Sequence, residues 1–444
     1  MFVNNSLDME NEKLIVGLDI GTTKICAIVG RKNEYGKLEV LGMGKAVSDG
    51  VDRGVVTNID KTVHAIQKAV EDASDMAEVE IGEVIVGIAG QHIQSKIQSG
   101  SIMRSPTDDE ITVEDVRRLS SEMENILVPP GNRIIHVMPQ DYTVDYEGGI
   151  KDPVGMSGQR LEADFHIITA QTTAINNINR CVRRAELTSK QLILEPLASS
   201  LSVLSDEEKE AGVCLVDIGG GTTDIAIFYE NIIRHTAVIP LGGNIITKDI
   251  KEGCMVMQNQ AELLKTRFGK AIAEEANPNE IVSIPGLRNR PPKEISIRNL
   301  ASIIQARMEE IIEIVQNEIM QSGHYKKLAG GIVITGGGSQ LQFISQLFEY
   351  MTGLDTRIGY PNEHLGKSVI EEVKSPMYAT SVGLVLAGFK ALDDRDNIYN
   401  NRVANSGVQI SQPRKEFNPK DIFRNIGDRL KSIIHDDIGD DTNY

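Results

Sequence analysis

The chain has 444 residues, and its 46 Lys and Arg residues against 63 Asp and Glu residues give a formal net charge of −17. That length predicts about three domain-sized units, and the composition, with 41% hydrophobic and 25% charged residues, excludes a fibrous repeat or a wholly disordered chain. The acidic balance argues against nucleic acid as the main partner and, averaged over the chain, also against anionic membranes.

The sequence also lacks the signals of export and of metal ligation. It has no apolar run of about 18 residues, and its polar start lacks the regions of a signal peptide, so we expect a cytoplasmic protein without a membrane-spanning helix. The 4 separate cysteines are typical of reduced, buried thiols, and the 8 histidines show no metal-ligand spacing. We therefore expect no metal site made of protein side chains alone.

The first elements of the chain are strands around a Gly-Thr-Thr turn. Residues 14–30 (LIVGLDIGTTKICAIVG) predict two strands, and residues 38–44 predict a third that completes an antiparallel meander. A helix follows, because apolar residues recur at three- and four-residue steps after Asn58, a capping residue. Residues 84–90 return to the pattern of a buried strand.

Residues 91–164 are more polar and rich in turns, which predicts an inserted subdomain. Within it, Thr112 followed by Asp115 resembles a helix-capping box. The run 165–170 (FHIITA) and the amphipathic helix pattern after it are expected to lead back into the first core. A short helix of small residues, 195–204 (EPLASSLSVL), comes next.

The second half repeats the opening pattern, since residues 212–228 (GVCLVDIGGGTTDIAIF) again predict strand, glycine turn and strand. Helix patterns follow at 261–269 and 300–322. Residues 330–348 (GGIVITGGGSQLQFISQLF) predict a strand, a glycine turn and a helix. From 393 to 419 the apolar periodicity is lost, which predicts a flexible linker.

The two Gly-Thr turns carry the strongest chemical signal. Their aspartates, Asp19 and Asp217, lie 198 residues apart, and we align the turns as Asp-Ile-Gly, a variable glycine insert, and Thr-Thr. Backbone N–H groups uncovered by side chains form a cradle for phosphate oxygens, and a nearby carboxylate can hold Mg²⁺ through water. The alternative, two plain β-hairpins, is disfavoured because the motif occurs twice at matching positions.

The candidate residues of this site belong to three glycine turns. Lys24, after the first Thr-Thr pair, is placed to offset phosphate charge, and the third turn could lie flat against a ribose or base. Walker P-loop and GxGxxG patterns are absent. Beside the two aspartates, the candidates are Gly21, Thr22, Thr23 and Lys24 in the first turn, Gly219, Gly220, Gly221, Thr222 and Thr223 in the second, and Gly336, Gly337, Gly338 and Ser339 in the third.

These segments, in this order and with EPLASSLSVL between the first two, resemble the nucleotide-binding signature of the actin, Hsp70 and sugar-kinase superfamily. The resemblance implies an α/β fold of two actin-like lobes, each a ribonuclease-H-like βββαβα core, with ATP and Mg²⁺ in the cleft and the two aspartates beside the metal. It implies adenosine against the third turn and cofactor contacts by Gly243, Glu262 and Lys265, the last two at the nucleoside. It also places Glu195 near the water shell of the metal, while no catalytic residue is certain.

Within this superfamily the sequence is most similar to the FtsA family of actin-like bacterial cell-division proteins, through GVDRGVVTNID, HVMPQDY, IKDPVGMSG, LILEPLASSLSVL and MYATSVGL. The similar stretches cover nearly all of residues 13–390. The resemblance implies a protein that polymerises on the inner face of the cytoplasmic membrane at the division site, tethers the FtsZ ring there and recruits later division proteins. Its implied partners are the FtsZ C-terminal peptide, further copies of the chain, anionic lipid and other division proteins, and any ATP hydrolysis is expected to be slow.

The family's organisation implies a division of the chain into seven parts. These are a first core (1A) of 13–90 with 165–205, a family-specific insert (1C) of 91–164, a second core (2A) of 206–255 with 310–392, subdomain 2B at 256–309, the linker 393–419, an amphipathic membrane-targeting helix at 420–435 and an acidic tail at 436–444.

The segment KDIFRNIGDRLKSII predicts that amphipathic helix, because six apolar residues fall within an arc of about 120°. Four basic residues against two acidic ones suit a helix that lies in a membrane interface. Docking on the protein's own body or on a partner is the alternative, and four aspartates beyond the helix would be repelled by anionic lipid. The expected membrane residues are Ile422, Phe423, Ile426, Leu430, Ile433, Ile434, Arg424 and Lys431.

Two further interpretations stay open. Arg307 and Glu310 form either a solvated i,i+3 pair or, as the resemblance implies, part of the docking site for the FtsZ C-terminal peptide. For the whole chain, the alternative to a division protein is a small-molecule kinase of the same superfamily. Such a kinase would need a catalytic aspartate aimed at a substrate hydroxyl in the cleft.

Overall fold

The protein was analysed as a computed structural model that describes residues 13–105, 110–286, 291–366 and 370–405, with 395–405 as backbone only. The chain divides into a unit that ends at Ala391 and a unit that begins at Leu392. The predicted amphipathic helix, with its membrane residues from Ile422 to Ile434, the acidic tail and the linker from 406 onward lie outside the described residues. Within the described ranges, no helix combines the length and apolar character needed to span a membrane.

The first core, here called lobe I, begins with the predicted antiparallel meander. Its first elements are β1 (Ile15–Ile20), β2 (Lys24–Lys32), β3 (Leu38–Val47), β4 (Val51–Asp52), β5 (Val55–Val56), α1 (Ile59–Ala77) and β6 (Glu83–Ile88). β6 pairs in parallel with β1. α1 begins where predicted, because the Asn58 side chain accepts a hydrogen bond from the Lys61 N–H, and it packs on β2 and β3.

The inserted subdomain, here called the insert, is a four-stranded sheet covered by one helix. It consists of β7 (Ile93–Met103), α2 (Val113–Glu124), β8 (Asn132–Val144), β9 (Glu147–Ile150) and β10 (Arg160–Gln171), with strand order β7-β10-β8-β9. The predicted capping box is present, since the side chains of Thr112 and Asp115 each accept a hydrogen bond from the other residue's backbone N–H. Leu119 and Met123 of α2 pack into a small core of their own.

The insert extends further along the chain than predicted. β10 pairs with β7 from Arg160, opposite Met103, to Ala170, opposite Ile93. The run 165–170 is therefore the central strand of the insert and does not belong to the first core, so the predicted boundary at 164 is wrong. This run is fully buried because neighbouring strands and packed side chains surround it, and a continuous apolar pattern does not identify the sheet to which a buried strand belongs.

The chain then returns to lobe I through α3 (Thr172–Arg184), β11 (Thr188–Leu194) and α4 (Glu195–Val203). β11 pairs in parallel with β6, which gives the strand order β11-β6-β1-β2-β3. The sequence did not predict β11, because its first four residues, TSKQ, are polar. α4 confirms the predicted short helix of small residues.

The second core, here called lobe II, repeats the sheet of lobe I. Its elements are α5 (Asp206–Ala211), β12 (Val213–Ile218), β13 (Thr223–Tyr229), β14 (Ile232–Ile239), α6 (Gly243–Gly253), α7 (Gln258–Phe268), β15 (Ile281–Ile284), β16 (Lys293–Ser296), α8 (Ile297–Gln321), β17 (Ile332–Thr335), α9 (Ile344–Thr352), β18 (Thr356–Ile358) and α10 (Ala379–Asn405). The strand order β14-β13-β12-β17-β18 matches β3-β2-β1-β6-β11, with an antiparallel meander followed by two parallel strands. The predicted fold of two duplicated actin-like cores is thus confirmed.

Two predicted boundaries in this half cut through helices. α8 runs without a break across the boundary between 309 and 310, so subdomain 2B and the second core share it. α10 continues to Asn405, so the linker predicted from 393 is helical over its first 13 residues. No glycine or proline occurs from 389 to 406, and a helix that has formed is extended readily where no helix-breaking residue intervenes.

The insert contacts lobe II although the chain attaches it to lobe I. Arg234 of β14 and Asp141 of β8 form a two-pronged ion pair, with Nη1–Oδ2 at 2.8 Å and Nη2–Oδ1 at 3.4 Å. His166 Nε2 lies 3.0 Å from Thr236 Oγ1, and Ser95 Oγ donates to the Thr236 main-chain oxygen at 3.0 Å. Burial lowers the pKa of His166 to about 4, so this ring is neutral at pH 7. The insert therefore joins both lobes.

Candidate functional site

A cavity of about 310 Å³ lies between the two lobes, inside the unit that ends at Ala391. This is within the size range of small-molecule sites, about 300–1,000 Å³. It brings together nearly all of the candidate residues that sequence reasoning placed at a nucleotide site. Those that line it are Asp19, Gly21, Thr22, Thr23, Lys24, Glu195, Asp217, Gly219, Gly220, Gly221, Thr222, Gly243, Glu262, Lys265, Gly336, Gly337 and Gly338.

Two predicted residues, Thr223 and Ser339, do not line the cavity. The Thr223 hydroxyl donates to the Leu241 carbonyl oxygen at 2.9 Å, and the Ser339 hydroxyl donates to the Gly336 carbonyl oxygen at 2.8 Å. Both side chains are fully buried. They hold neighbouring backbone in place and are not available to a ligand in this arrangement.

The first turn (residues 21–24) and the second turn (residues 219–222) have the same length. The residues paired at the ends of the two hairpins are Asp19 with Cys26, Ile20 with Ile25, Asp217 with Asp224, and Ile218 with Thr223. The predicted alignment with a glycine insert is therefore wrong. Thr22 and Thr23 correspond to Gly220 and Gly221, and the second Thr-Thr pair corresponds to Lys24 and Ile25, because strand pairing and not residue identity sets the register of a hairpin.

The two turns touch each other across the cleft. A Cβ atom added at Gly220 would lie 2.3 Å from Thr23 Cγ2, and one added at Gly221 would lie 2.5 Å from Thr22 Oγ1. Real Cβ contacts are not this short, so glycine in the second turn is what allows the threonines of the first turn to pack there. The Gly219 N–H donates to the Thr222 carbonyl oxygen at 2.9 Å, so a phosphate cradle would use the N–H groups of the other residues of this turn.

Asp19 and Asp217 lie at equivalent places beside the two turns. Asp19 accepts a hydrogen bond from the Ser381 hydroxyl at 3.0 Å. Asp217 accepts one from Ser199 at 2.6 Å and one from Thr380 at 3.1 Å. Burial raises the pKa of both carboxyl groups against the lowering effect of these hydrogen bonds. The hydroxyl groups hold each carboxylate in one orientation.

Glu195, at the start of α4, completes a group of buried acids in the cleft. Burial, followed by repulsion from Asp19, Asp224 and Asp217, raises its pKa well above the usual range. Lys24 is the cation whose attraction opposes these shifts. The ammonium group of Lys24 donates to the Met377 carbonyl oxygen at 2.5 Å and lies 4.8 Å from the centroid of the Tyr378 ring.

Sequence reasoning missed Asp224, which lines the same cavity. It is 3% exposed, its Oδ2 accepts a hydrogen bond from Thr222 at 2.9 Å, and its Oδ1 has no partner. Burial, then repulsion from Asp217, raises its pKa to about 8. An alignment that gives the two turns equal length would have identified it. In that alignment Asp224 corresponds to Cys26, and it pairs with Asp217 across the hairpin as Cys26 pairs with Asp19.

The donor set fits a hydrated divalent cation better than a directly ligated one. Among the described residues, no group of three or more His, Cys, Asp or Glu side chains is placed to hold a metal ion. Four buried carboxyl groups with raised pKa values and one unpaired carboxylate oxygen nevertheless favour a positive charge in the cleft. Mg²⁺ keeps several waters in protein sites, so Asp19 and Asp217 could hold it through water.

The remaining candidates that line the cavity all belong to lobe II. Lys265 Nζ pairs with Glu262 Oε2 at 2.8 Å and donates to the Gly243 carbonyl oxygen at 3.0 Å. Gly336 has a φ of +82°, and a Cβ there would lie 2.3 Å from Asp217 Oδ1. A Cβ at Gly337 would meet nothing within 4 Å, so the backbone is open at this residue, whereas a Cβ at Gly338 would lie 2.3 Å from Ile218 Cγ2.

Arg307 and Glu310, predicted as partner residues, form the expected pair on α8. Arg307 also makes two bonds to Asp249 of α6, Nε–Oδ2 at 2.6 Å and Nη2–Oδ1 at 3.2 Å. These contacts raise the pKa of Arg307 and join the two helices. The Glu310 side chain is 50% exposed and is the more accessible member of the pair.

The family models agree with this architecture. The model described as "Cell division protein FtsA" matches residues 214–383. A second, described as "SHS2 domain inserted in FTSA", matches residues 90–169, close to the insert as the strands define it.

Curated relatives named "Cell division protein FtsA" are similar over most of the chain. The Pseudomonas aeruginosa protein is 42% identical over 87% of this chain and 92% of its own. The Escherichia coli protein is 36% identical over 92% of this chain and 99% of its own, and the Bacillus subtilis protein 37% over 85% and 84%.

Solved structures with low sequence identity share the fold. The PilM-PilN type IV pilus biogenesis complex has a TM-score of 0.61 at 15% identity, covering 84% of this chain and 98% of the matched chain. MreB5 of Spiroplasma citri bound to ADP has a TM-score of 0.50 at 16% identity, covering 87% and 99%. At this level of identity the likeness concerns the fold alone.

Proposed function

The chain belongs to the FtsA family of cell-division proteins, and we propose that it acts as an actin-like, ATP-binding adaptor of the division ring. In this role it polymerises on the inner face of the cytoplasmic membrane, tethers the FtsZ ring there and helps to recruit later division proteins. The observation that carries the proposal is the contact, inside one cleft, between two turns that come from two copies of the same core. Membership of the family favours this adaptor over the small-molecule kinase.

The cleft residues divide the task of holding ATP and Mg²⁺. Backbone N–H groups of the two turns would bind phosphate oxygens, and Lys24 would offset part of their charge. Asp19 and Asp217 would hold the ion through water, and the bound ion would neutralise charge on the phosphates. The third turn, with Glu262 and Lys265, would contact the nucleoside.

A nucleotide held from both sides would favour the closed arrangement of the lobes, because a ligand stabilises the state in which it makes more contacts. Successive subunits of a filament need a single, fixed arrangement of the lobes. Slow hydrolysis would then change the population of this arrangement and act as a switch rather than as a source of product.

Assembly on lipid tests this proposal directly. We expect the full chain, applied to a lipid monolayer containing anionic lipid, to form filaments visible by electron microscopy with Mg-ATP and not without nucleotide. We also expect it to bind an FtsZ C-terminal peptide. Failure of both measurements would contradict the proposal.

The membrane contact rests on the segment 420–434, which lies outside the described residues. Replacing Phe423 and Leu430 with Asp should abolish co-sedimentation with liposomes, because each change puts a charge among the acyl chains. The matched control replaces Asn425 and Ser432 with Asp, which adds the same charge outside the apolar arc. Equal binding by the two double variants would exclude this helix as the anchor.

The docking of the FtsZ peptide at Arg307 and Glu310 needs a variant that leaves α8 intact. Glu310→Gln removes the exposed charge and keeps the Arg307–Asp249 bonds. If the peptide contacts this pair, its affinity should change by about 10-fold, the effect of one charged hydrogen bond. Unchanged affinity in Glu310→Gln would place the peptide elsewhere.

A further inference from the structure

The hairpin of β4 and β5 carries an unusual residue at its tip. Val51 pairs with Val56 and Asp52 with Val55, which leaves Arg53 and Gly54 as a two-residue turn with φ values of +47° and +74°. Turns of this kind favour Asn, Asp or Gly, because side chains such as arginine adopt positive φ with difficulty. Arginine at this place is unfavourable for the backbone, which points to a use for its side chain.

The tip of this hairpin contacts both the first turn (residues 21–24) and the second turn (residues 219–222). The Gly54 N–H donates to the Thr22 hydroxyl oxygen at 3.2 Å, and Gly54 itself lines the cavity. On the other side, a Cβ atom added at Gly221 would lie 2.9 Å from Arg53 Cα. The Arg53 Cα atom therefore lies where the first and second turns meet.

The backbone of the tip is held firmly. A Cβ atom added at Gly54 would lie 2.8 Å from both the Ala89 carbonyl oxygen and Gly90 Cα. The tip is thus packed against the end of β6 as well as against the two turns. A side chain that starts from so fixed a point can be placed on a ligand at little further entropic expense.

The guanidinium group of Arg53 is free for such a contact. The side chain is exposed, and no residue in the described part of the chain makes a hydrogen bond or ion pair with it. Of the other cations that line the cavity, Lys24 donates to the Met377 carbonyl oxygen and Lys265 pairs with Glu262, whereas Arg267 belongs to α7, on the same helix as Lys265. A guanidinium group matches two oxygens of one phosphate and keeps its charge at all physiological pH values.

We propose that Arg53 binds the outermost phosphate of a bound nucleoside triphosphate and makes the site prefer triphosphate to diphosphate. The inference rests on the proposed nucleotide binding and adds to it a residue that distinguishes the two states of the nucleotide. Because the hairpin also contacts both turns, a contact between Arg53 and the last phosphate would form at the point where lobe I and lobe II meet.

The test compares affinities of the full chain for Mg²⁺ with ADP and with a non-hydrolysable ATP analogue, measured by calorimetry. Arg53→Asn and Arg53→Gly should each weaken binding of the triphosphate by about 10- to 100-fold, the value of a charged hydrogen-bonding contact, and change ADP binding by less than about 2-fold. Arg53→Lys should recover part of the loss. Arg133→Asn, which removes the same charge from an exposed position of the insert, should change neither affinity.

These variants separate a ligand contact from a structural role. Asn and Gly adopt positive φ more easily than Arg, so both should raise or maintain thermal stability while triphosphate binding falls. Equal loss for both nucleotides, or an unchanged ratio of the two affinities, would overturn the role of Arg53 while leaving the nucleotide site in place. A wild-type chain that binds neither nucleotide would instead overturn the site itself.

Discussion

The first and second turns have the same number of residues, but one exposes side chains to the other and the other exposes glycine backbone. The first presents the hydroxyl groups of Thr22 and Thr23, whereas the second presents bare glycine backbone at the matching positions, Gly220 and Gly221, and Lys24 of the first turn corresponds to Thr222 of the second. The side chains of Thr22 and Thr23 occupy space that Gly221 and Gly220 leave empty. The two copies of the core can thus pack together at the cleft because one has threonine where the other has glycine.

A second difference lies across each hairpin. Cys26 faces Asp19 in lobe I, and Asp224 faces Asp217 in lobe II. Burial raises the pKa of Cys26 to about 12, so this thiol carries no charge at neutral pH. The hairpin of lobe II therefore contributes a second carboxylate, while the hairpin of lobe I contributes Lys24 and the hydroxyl groups of Thr22 and Thr23.

The largest expected effect concerns Asp19 and Asp217, the aspartates at equivalent positions before the two turns. Asp19→Asn and Asp217→Asn should each weaken Mg²⁺-dependent binding of ATP by about 10- to 100-fold, the range for groups that hold a metal ion through other ligands. Titrations of the nucleotide with and without Mg²⁺ measure this. Loss in only one of the two variants would show that one lobe alone holds the ion.

The next effect concerns the interlocking of glycine and threonine. Gly220→Ala should lower the free energy of unfolding by about 1–3 kcal/mol, because the new Cβ meets the Thr23 side chain and the packed turns must shift. Urea denaturation measures it. Thr23→Ala in the same chain should restore much of the loss, since the nearest atoms to the new Cβ all belong to Thr23.

Gly82→Ala is the matched control for that experiment, because a Cβ there meets nothing within 4 Å. It should leave stability unchanged or slightly raised, as glycine loses more conformational freedom on folding than alanine. If Gly82→Ala and Gly220→Ala behaved alike, the two turns would not be in contact in solution.

A separate effect is the pH dependence that Asp224 adds to lobe II. Its pKa is raised to about 8 in the folded chain, so folding takes up a proton and stability falls as pH rises from about 4 to 8. For one group this slope is at most about 1.4 kcal/mol per pH unit. Urea unfolding of the nucleotide-free, Mg²⁺-free chain should show a shallower slope for Asp224→Asn, and an unchanged slope for Cys26→Ala.

Much of this molecule was predictable because its signals are local. Strand patterns around the turns, the cap at Asn58 and the capping box at Thr112 each depend on residues close in the chain, and all three are present. α6 was not predicted, because it begins at a glycine with no side-chain cap and shortly follows a strand. The candidate site was predicted as a set of motifs, and nearly all of its members line one cavity.

What could not be predicted depends on pairing between distant segments. Residue identity alone aligned the two Thr-Thr pairs, but the strand register places Thr223 opposite Ile218, within the sheet and away from the cavity. The same limit hid Asp224, whose importance follows only from that register. The membership of 165–170 in the insert depends likewise on its pairing with β7, some 70 residues earlier in the chain.

The contact between the insert and lobe II has a thermodynamic consequence. A change in the angle between the lobes must either turn the insert with lobe II or break the Arg234–Asp141 ion pair and the His166–Thr236 hydrogen bond. Cleft closure and insert orientation are then two coordinates of one equilibrium. Linked binding equilibria are reciprocal. A molecule that binds the insert more tightly in one orientation therefore changes the affinity for nucleotide by a certain factor, and nucleotide changes the affinity for that molecule by the same factor.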